Sequence, residues 1–239
     1  MSHKNMLIQL PLKMSLRDDA SFETFIAEQE SIALVLSQLQ QLDNAQYAGC
    51  YYFFGESGVG KTHLLQAACR FYTEKGRQSV YFPLANQQLP LIPDVLQGLE
   101  VTPLVCLDDV EQVLGDLGWE KALANFLAKS RVQGHRVLLT GQTALTDWPV
   151  ASEGLMRELV SIIPVPLAPL QGERELVLAL QRHALYMGFE LPLKVGNFLI
   201  KRFSTDLQEL LAVLKLLEQA SLVDKRRLTL PFVKEVLAR

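Results

Sequence analysis

Short apolar runs rich in β-branched and aromatic residues alternate with stretches of helical periodicity through the first 170 residues or so. The runs at 50–54, 79–84, 104–108, 136–141 and 161–165 read as strands, and 61–75, 92–99 and 120–133 as helices. Strands that are apolar on both faces and separated by helices predict a parallel sheet covered on both sides. The first run carries Tyr51, Tyr52, Phe53 and Phe54 in succession, as a strand buried on both faces would. The last run passes into Pro164, Pro166 and Pro169, whose nitrogens cannot donate to a ladder, so it is an edge strand leading into a linker. Beyond it the pattern is helical at 172–187, 193–203, 206–225 and 230–238, punctuated by Gly188, Pro192, Gly196 and Pro231. The chain therefore divides into a tail (1–20), an α/β base (21–170) and a small helical unit (171–239).

Composition narrows the function classes. With 239 residues, 49% hydrophobic and 21% charged, the chain is an ordinary globular one. Its net charge of −3 gives no global attraction to nucleic acid or anionic lipid. The charge is uneven: residues 1–171 carry 12 Lys and Arg against 18 Asp and Glu, and the remainder 11 against 8. Cys50, Cys69 and Cys106 lie among apolar residues and read as buried free thiols, and neither they nor the four histidines have metal-ligand spacing. No apolar run is long enough for a membrane span, and the expected location is the cytoplasm.

The strongest motif is Gly55-Glu56-Ser57-Gly58-Val59-Gly60-Lys61-Thr62, followed by His63 and a good helix opening. It matches the phosphate-loop pattern Gly-x-x-x-x-Gly-Lys-Ser/Thr, between a strand and a helix as the motif requires. Its glycines let backbone N–H groups converge on phosphates at the positive end of a helix. Lys61 would neutralise the outer phosphates, and the Thr62 hydroxyl would ligate Mg2+. The run Leu104-Val105-Cys106-Leu107 ends in Asp108 and Asp109. Asp108 would hold the magnesium, directly or through water, and Asp109 would polarise an attacking water. The strand at 136–141 ends in polar groups, so Gln142 or Thr140 would sense the terminal phosphate or the attacking water.

These features together resemble an AAA+ P-loop NTPase with a C-terminal helical lid, and more narrowly the Hda family of proteins related to the bacterial replication initiator DnaA. The segment Ser21-Phe22-Glu23-Thr24-Phe25 resembles the initiator's adenine pocket, which places Phe22 and Phe25 against the base. Three further runs are similar to that family: 92–108, Gly188-Phe189-Glu190-Leu191-Pro192, and 228–237. The resemblance implies bound ADP or ATP with Mg2+, and weak or no intrinsic ATPase activity. It implies action with the DNA-loaded sliding clamp to promote hydrolysis of DnaA-bound ATP, which prevents over-initiation of replication. Gln9-Leu10-Pro11-Leu12-Lys13-Met14 resembles the family's clamp-binding peptide, with Gln9 as polar anchor and Leu10, Leu12 and Met14 as apolar contacts. DNA would be approached only indirectly, no membrane is involved, and a homodimer is compatible with the family. Arg157 is the candidate arginine finger, one residue before the family position, where Glu158 stands. Gln208 stands where family members carry a nucleotide-touching lid arginine. A stand-alone AAA+ ATPase of the helicase-loader kind is the competing reading, and a scaffold that needs nucleotide only to stay folded is a third.

Overall fold

In the computed structural model, which describes residues 19–27, 29–42, 44–86, 91–170 and 172–238, all five apolar runs are strands. They are β1 (Gly49–Phe54), β2 (Ser79–Pro83), β3 (Leu104–Asp108), β4 (Arg136–Gly141) and β5 (Ile162–Pro166). All pair in parallel, in the order β2-β3-β4-β1-β5. Alternation along each strand feeds two cores. Tyr52, Val105, Leu107 and Leu139 face one, covered by α3 (Leu117–Gln133) and α4 (Glu153–Leu159). Tyr51, Phe53, Leu104, Cys106 and Leu138 face the other, covered by α1 (Glu30–Leu39) and α2 (Lys61–Glu74). All three cysteines are buried and unbridged.

The prolines explain the position of β5. The Leu167 N–H donates to the Phe54 carbonyl at 2.7 Å, so odd-numbered residues of this segment turn their N–H groups towards β1. Pro164 and Pro166 then direct their nitrogens away from the sheet, where no donor is needed. The expected helix at 92–99 is instead two 3-10 turns, Pro93–Leu96 and Leu99–Val101. Pro93 opens the first turn and Gly98 adopts a left-handed φ of 85° before the second, which leaves too few residues for an α-helical ladder. Helix α3 begins earlier than expected because Asp116 caps it, accepting from Gly118 N and Trp119 N at 2.7 and 3.0 Å.

Residues 173–236 form α5 (Glu173–Tyr186), α6 (Leu193–Arg202), α7 (Leu207–Asp224) and α8 (Leu230–Val236) around a third core that includes Leu180, Leu199, Leu214 and Phe232. This helical unit docks on the base through polar contacts. Arg182 of α5 donates to the Phe25 carbonyl at 2.9 Å, Arg70 of α2 to the Tyr186 hydroxyl at 2.6 Å, and Lys215 lies 3.6 Å from Asp19. No helix among the described residues is long and apolar enough to cross a membrane.

At the opposite end of the sheet from the phosphate loop, Arg136 is 4% exposed. Its guanidinium donates to the carbonyls of Leu39, Gln41 and Tyr47 and to the Tyr72 hydroxyl, fixing the C-terminal end of α1 to the central strand β4. Replacing it strands the buried Leu39 carbonyl and Tyr72 hydroxyl without their donor. Arg136→Met is expected to lower stability by roughly 3 kcal/mol, read as a drop of about 10 °C in Tm by circular dichroism, with Arg136→Lys intermediate.

Candidate functional site

A parallel sheet gathers the C-terminal ends of its strands along one edge. Here β1 delivers the loop 55–62, β3 delivers Asp108 and Asp109, and β4 delivers Thr140 and Gln142. The loop turns tightly on its glycines. Gly55 has φ 151°, and a Cβ there would run into the Leu167 carbonyl. Gly60 has φ 95° and faces the Phe25 ring, with only 3.0 Å available to a Cβ. Lys61 opens α2, and its ammonium donates to the carbonyls of Gly55 and Glu56 at 2.6 and 2.7 Å. Burial draws that ammonium below the ordinary lysine range, against the opposing pull of Asp109, Asp108 and Glu111.

Asp108 is buried and held at both oxygens. Thr140 Oγ1 donates to Oδ1 at 2.5 Å, and the Tyr81 hydroxyl of β2 donates to Oδ2 at 2.7 Å. Asp109 adopts a left-handed backbone, φ 56°, which Asp tolerates better than most residues, and its N–H donates to Thr140 Oγ1 at 2.8 Å. Burial raises the Asp109 pKa, the neighbouring Asp108 raises it further, and Lys61 opposes both. Thr140, one of the two polar groups expected at the end of β4, is thus tied to the acidic pair. Gln142 is exposed, and its backbone N–H donates to Glu111 at 2.9 Å.

Glu111, Tyr81, His183 and Arg182 were not marked by the sequence. Glu111 accepts from Gln142 N, Thr143 N and Thr143 Oγ1 at 2.9, 2.7 and 2.5 Å, and its Oε1 lies 3.0 Å from the Tyr52 hydroxyl. Burial alone would raise its pKa, but these donors outweigh that and hold it below the usual value. It therefore secures the turn that carries Gln142. A lone Glu in a 3-10 turn has no pattern that would have revealed this.

Between the base and the helical unit lies a cleft of about 210 Å³. Phe25, loop residues Ser57, Gly58, Val59 and Gly60, and His63 line it from one side, and His183 and Gln208 from the other. His63 Nε2 lies 3.0 Å from Thr24 Oγ1 and 3.1 Å from the Ser21 carbonyl, and its ring meets His183 edge-on at 5.6 Å. Phe22 does not line the cleft; its ring packs edge-on against Phe71 on the outside of α2, 5.6 Å between centroids. Arg157 lies on α4 with its side chain 76% exposed, 3.3 Å from Glu153. Glu158 is instead bound by Arg131 at 3.1 Å. Residues 9–14 lie outside the described residues.

The donor set suits a polyphosphate with a hard divalent cation. Backbone N–H groups at the start of a long helix and the Lys61 ammonium would meet phosphate, while the Thr62 hydroxyl and the Asp108 carboxylate are oxygen donors of the kind Mg2+ takes. Each Asp108 oxygen accepts one hydrogen bond and keeps lone-pair capacity for a metal or its water.

The crowding of Asp108, Asp109 and Glu111 carries a stability cost that depends on pH. Because the folded-state pKa of Asp109 is raised, ionising it disfavours the fold above that pKa, and the penalty vanishes below the unfolded value. Asp109→Asn retains the left-handed preference and removes the charge. It is expected to raise Tm by about 2 °C at pH 7, with the gain shrinking as the pH falls through the raised pKa towards 4, followed by thermal melts across that range.

Comparison with known proteins agrees with this architecture. Residues 173–237 match the family described as Hda, lid domain. Domain III of the replication initiation protein DnaA from Thermotoga maritima superposes with a TM-score of 0.69 at 18% identity, covering 93% of this chain and 97% of that one. AMPPCP-bound DnaA from Aquifex aeolicus gives 0.66 at 18% identity, over 85% of this chain and 66% of that one. The Thermotoga maritima RuvB Holliday junction branch migration motor gives 0.60 at 14% identity, over 92% and 71%. A parallel five-stranded sheet in this order with a phosphate loop at its edge is the fold that DnaA domain III also has, and the helical unit that closes the cleft matches the Hda lid domain over residues 173–237.

Proposed function

We propose that this protein is a nucleotide-binding AAA+ regulator that acts on a DnaA-type initiator, promoting hydrolysis of the initiator's ATP in concert with the DNA-loaded sliding clamp. The observation that supports this most is the pairing of a complete phosphate loop with an Hda-type lid across one cleft. In this reading the loop N–H groups and Lys61 bind the phosphates of ADP or ATP, with Thr62 and Asp108 as the residues that would hold Mg2+. Magnesium, when bound, supplies neutralisation of phosphate charge. Phe25 and His63 form the base-side wall and Gln208 the lid-side wall. Gln208 brings no cation to the phosphates, which loosens the lid's grip on the nucleotide and favours slow intrinsic turnover.

Arg157 is the residue this reading directs at a neighbour's nucleotide. Its guanidinium is exposed and, among the described residues, held by a helix-surface pair with Glu153, which is weak enough to exchange for a phosphate on docking. Residues Gln9, Leu10, Leu12 and Met14 would tether the chain to the clamp, so DNA is met only through that ring. A homodimer is compatible with this reading. The complete set of Lys61, Thr62, Asp108 and Asp109 is what favours the second reading, a stand-alone ATPase.

Both are separated by measuring hydrolysis of initiator-bound ATP with clamp, DNA and this protein, each omitted in turn. Hydrolysis is expected only when all three are present, and Arg157→Ala is expected to reduce the stimulation by roughly a thousandfold. Turnover of free ATP by this chain alone at ordinary ATPase rates, with no dependence of the initiator on it, would favour the stand-alone enzyme.

A further inference from the structure

Tyr81 has no place in the phosphate-loop motif or in the acidic strand end, yet its hydroxyl joins the strand end to the helix that the motif opens. It donates to Asp108 Oδ2 at 2.7 Å and is also hydrogen-bonded by the Gln66 side chain of α2, a residue only 7% exposed. Gln66 is one helical turn beyond Thr62, on the same face of α2. On the other side Thr140 holds Asp108 Oδ1 at 2.5 Å while accepting from Asp109 N. The two groups that would share a cation, Thr62 and Asp108, thus stand on different elements joined through one phenol.

We propose that Tyr81 is a positioning residue for the divalent cation: its hydroxyl, bridging Gln66 and Asp108, sets the carboxylate's orientation and its spacing from Thr62. This rests on the nucleotide-binding reading above and extends it to a residue outside the motif. Mg2+ demands near-octahedral geometry at short distances and tolerates little displacement of its ligands. A hydrogen-bonded partner that orients a ligating carboxylate is worth ten- to a hundredfold in metal affinity. The alternate-face position of Tyr81 in β2, paired with Cys106 of β3, puts the ring in the apolar layer under α2 and leaves only its tip polar.

The test is a titration of full-length protein with a fluorescent ATP analogue, in excess Mg2+ and in EDTA, comparing wild type with Tyr81→Phe. Wild type is expected to bind in both and more tightly with Mg2+. Tyr81→Phe is expected to keep the EDTA affinity within about twofold while losing about tenfold of the Mg2+-dependent gain. Gln66→Leu, which leaves the Tyr81–Asp108 bond in place, is expected to lose less of it. A Mg2+-dependent gain equal to wild type in Tyr81→Phe, or an equal loss in Mg2+ and EDTA, would overturn the positioning role. Failure of wild type to bind the analogue in either condition would instead overturn the nucleotide-binding reading, and the proposal with it.

Discussion

The structure depends on a single constraint, that a parallel sheet buried on both faces brings the C-terminal end of every strand to one edge. Residues at the ends of β1, β3 and β4 are scattered from 54 to 142 in the chain, yet Lys61, Asp108, Asp109 and Thr140 interact directly or through shared neighbours at that edge. The opposite end is fixed just as firmly. There Arg136 ties β4 to the end of α1 and to α2, so these helices cannot part from the sheet without losing hydrogen bonds to a buried cation. A site that needs several groups in one place is thereby built on rigid elements, and the loop only completes it.

The chemistry at the edge is electrostatically crowded. Three carboxylates, Asp108, Asp109 and Glu111, surround one ammonium, and the fold compensates unevenly. Glu111 is satisfied by the turn it holds and Asp108 by two hydroxyls, while Asp109 is left raised and partly buried in the left-handed corner after β3. That gradient from well-satisfied to strained carboxylates suits a division between holding a cation and polarising a water. The cleft adds a second division, because its far wall belongs to the lid. A ligand touching both walls bridges two separate hydrophobic cores, and its binding would stabilise their relative placement.

Much of this was legible in the chain because the signals were local. Apolar β-rich runs marked every strand, and the prolines at 164 and 166 marked the edge. The phosphate loop carries its own context of strand and helix. What escaped was short or non-local. Helix α4 has seven residues and buries only Leu155, so it shows no periodicity, and 92–99 looked helical until Pro93 and Gly98 divided it. Spacing could not tell which of Phe22 and Phe25 turns into the cleft, since that is decided by packing on Phe71 and Gly60. Tyr81 read as one more strand aromatic, because its partners are 15 residues before it and 27 after.

The central claim is that the loop 55–62 and the cleft beside it hold a single nucleotide through Lys61 and the backbone. Calorimetric titration of the purified chain with ADP and Mg2+ tests this most directly. The account predicts one site per chain, lost in Lys61→Ala while the far-ultraviolet circular dichroism is unchanged. Absence of binding by wild type, or binding undiminished by Lys61→Ala, would contradict it.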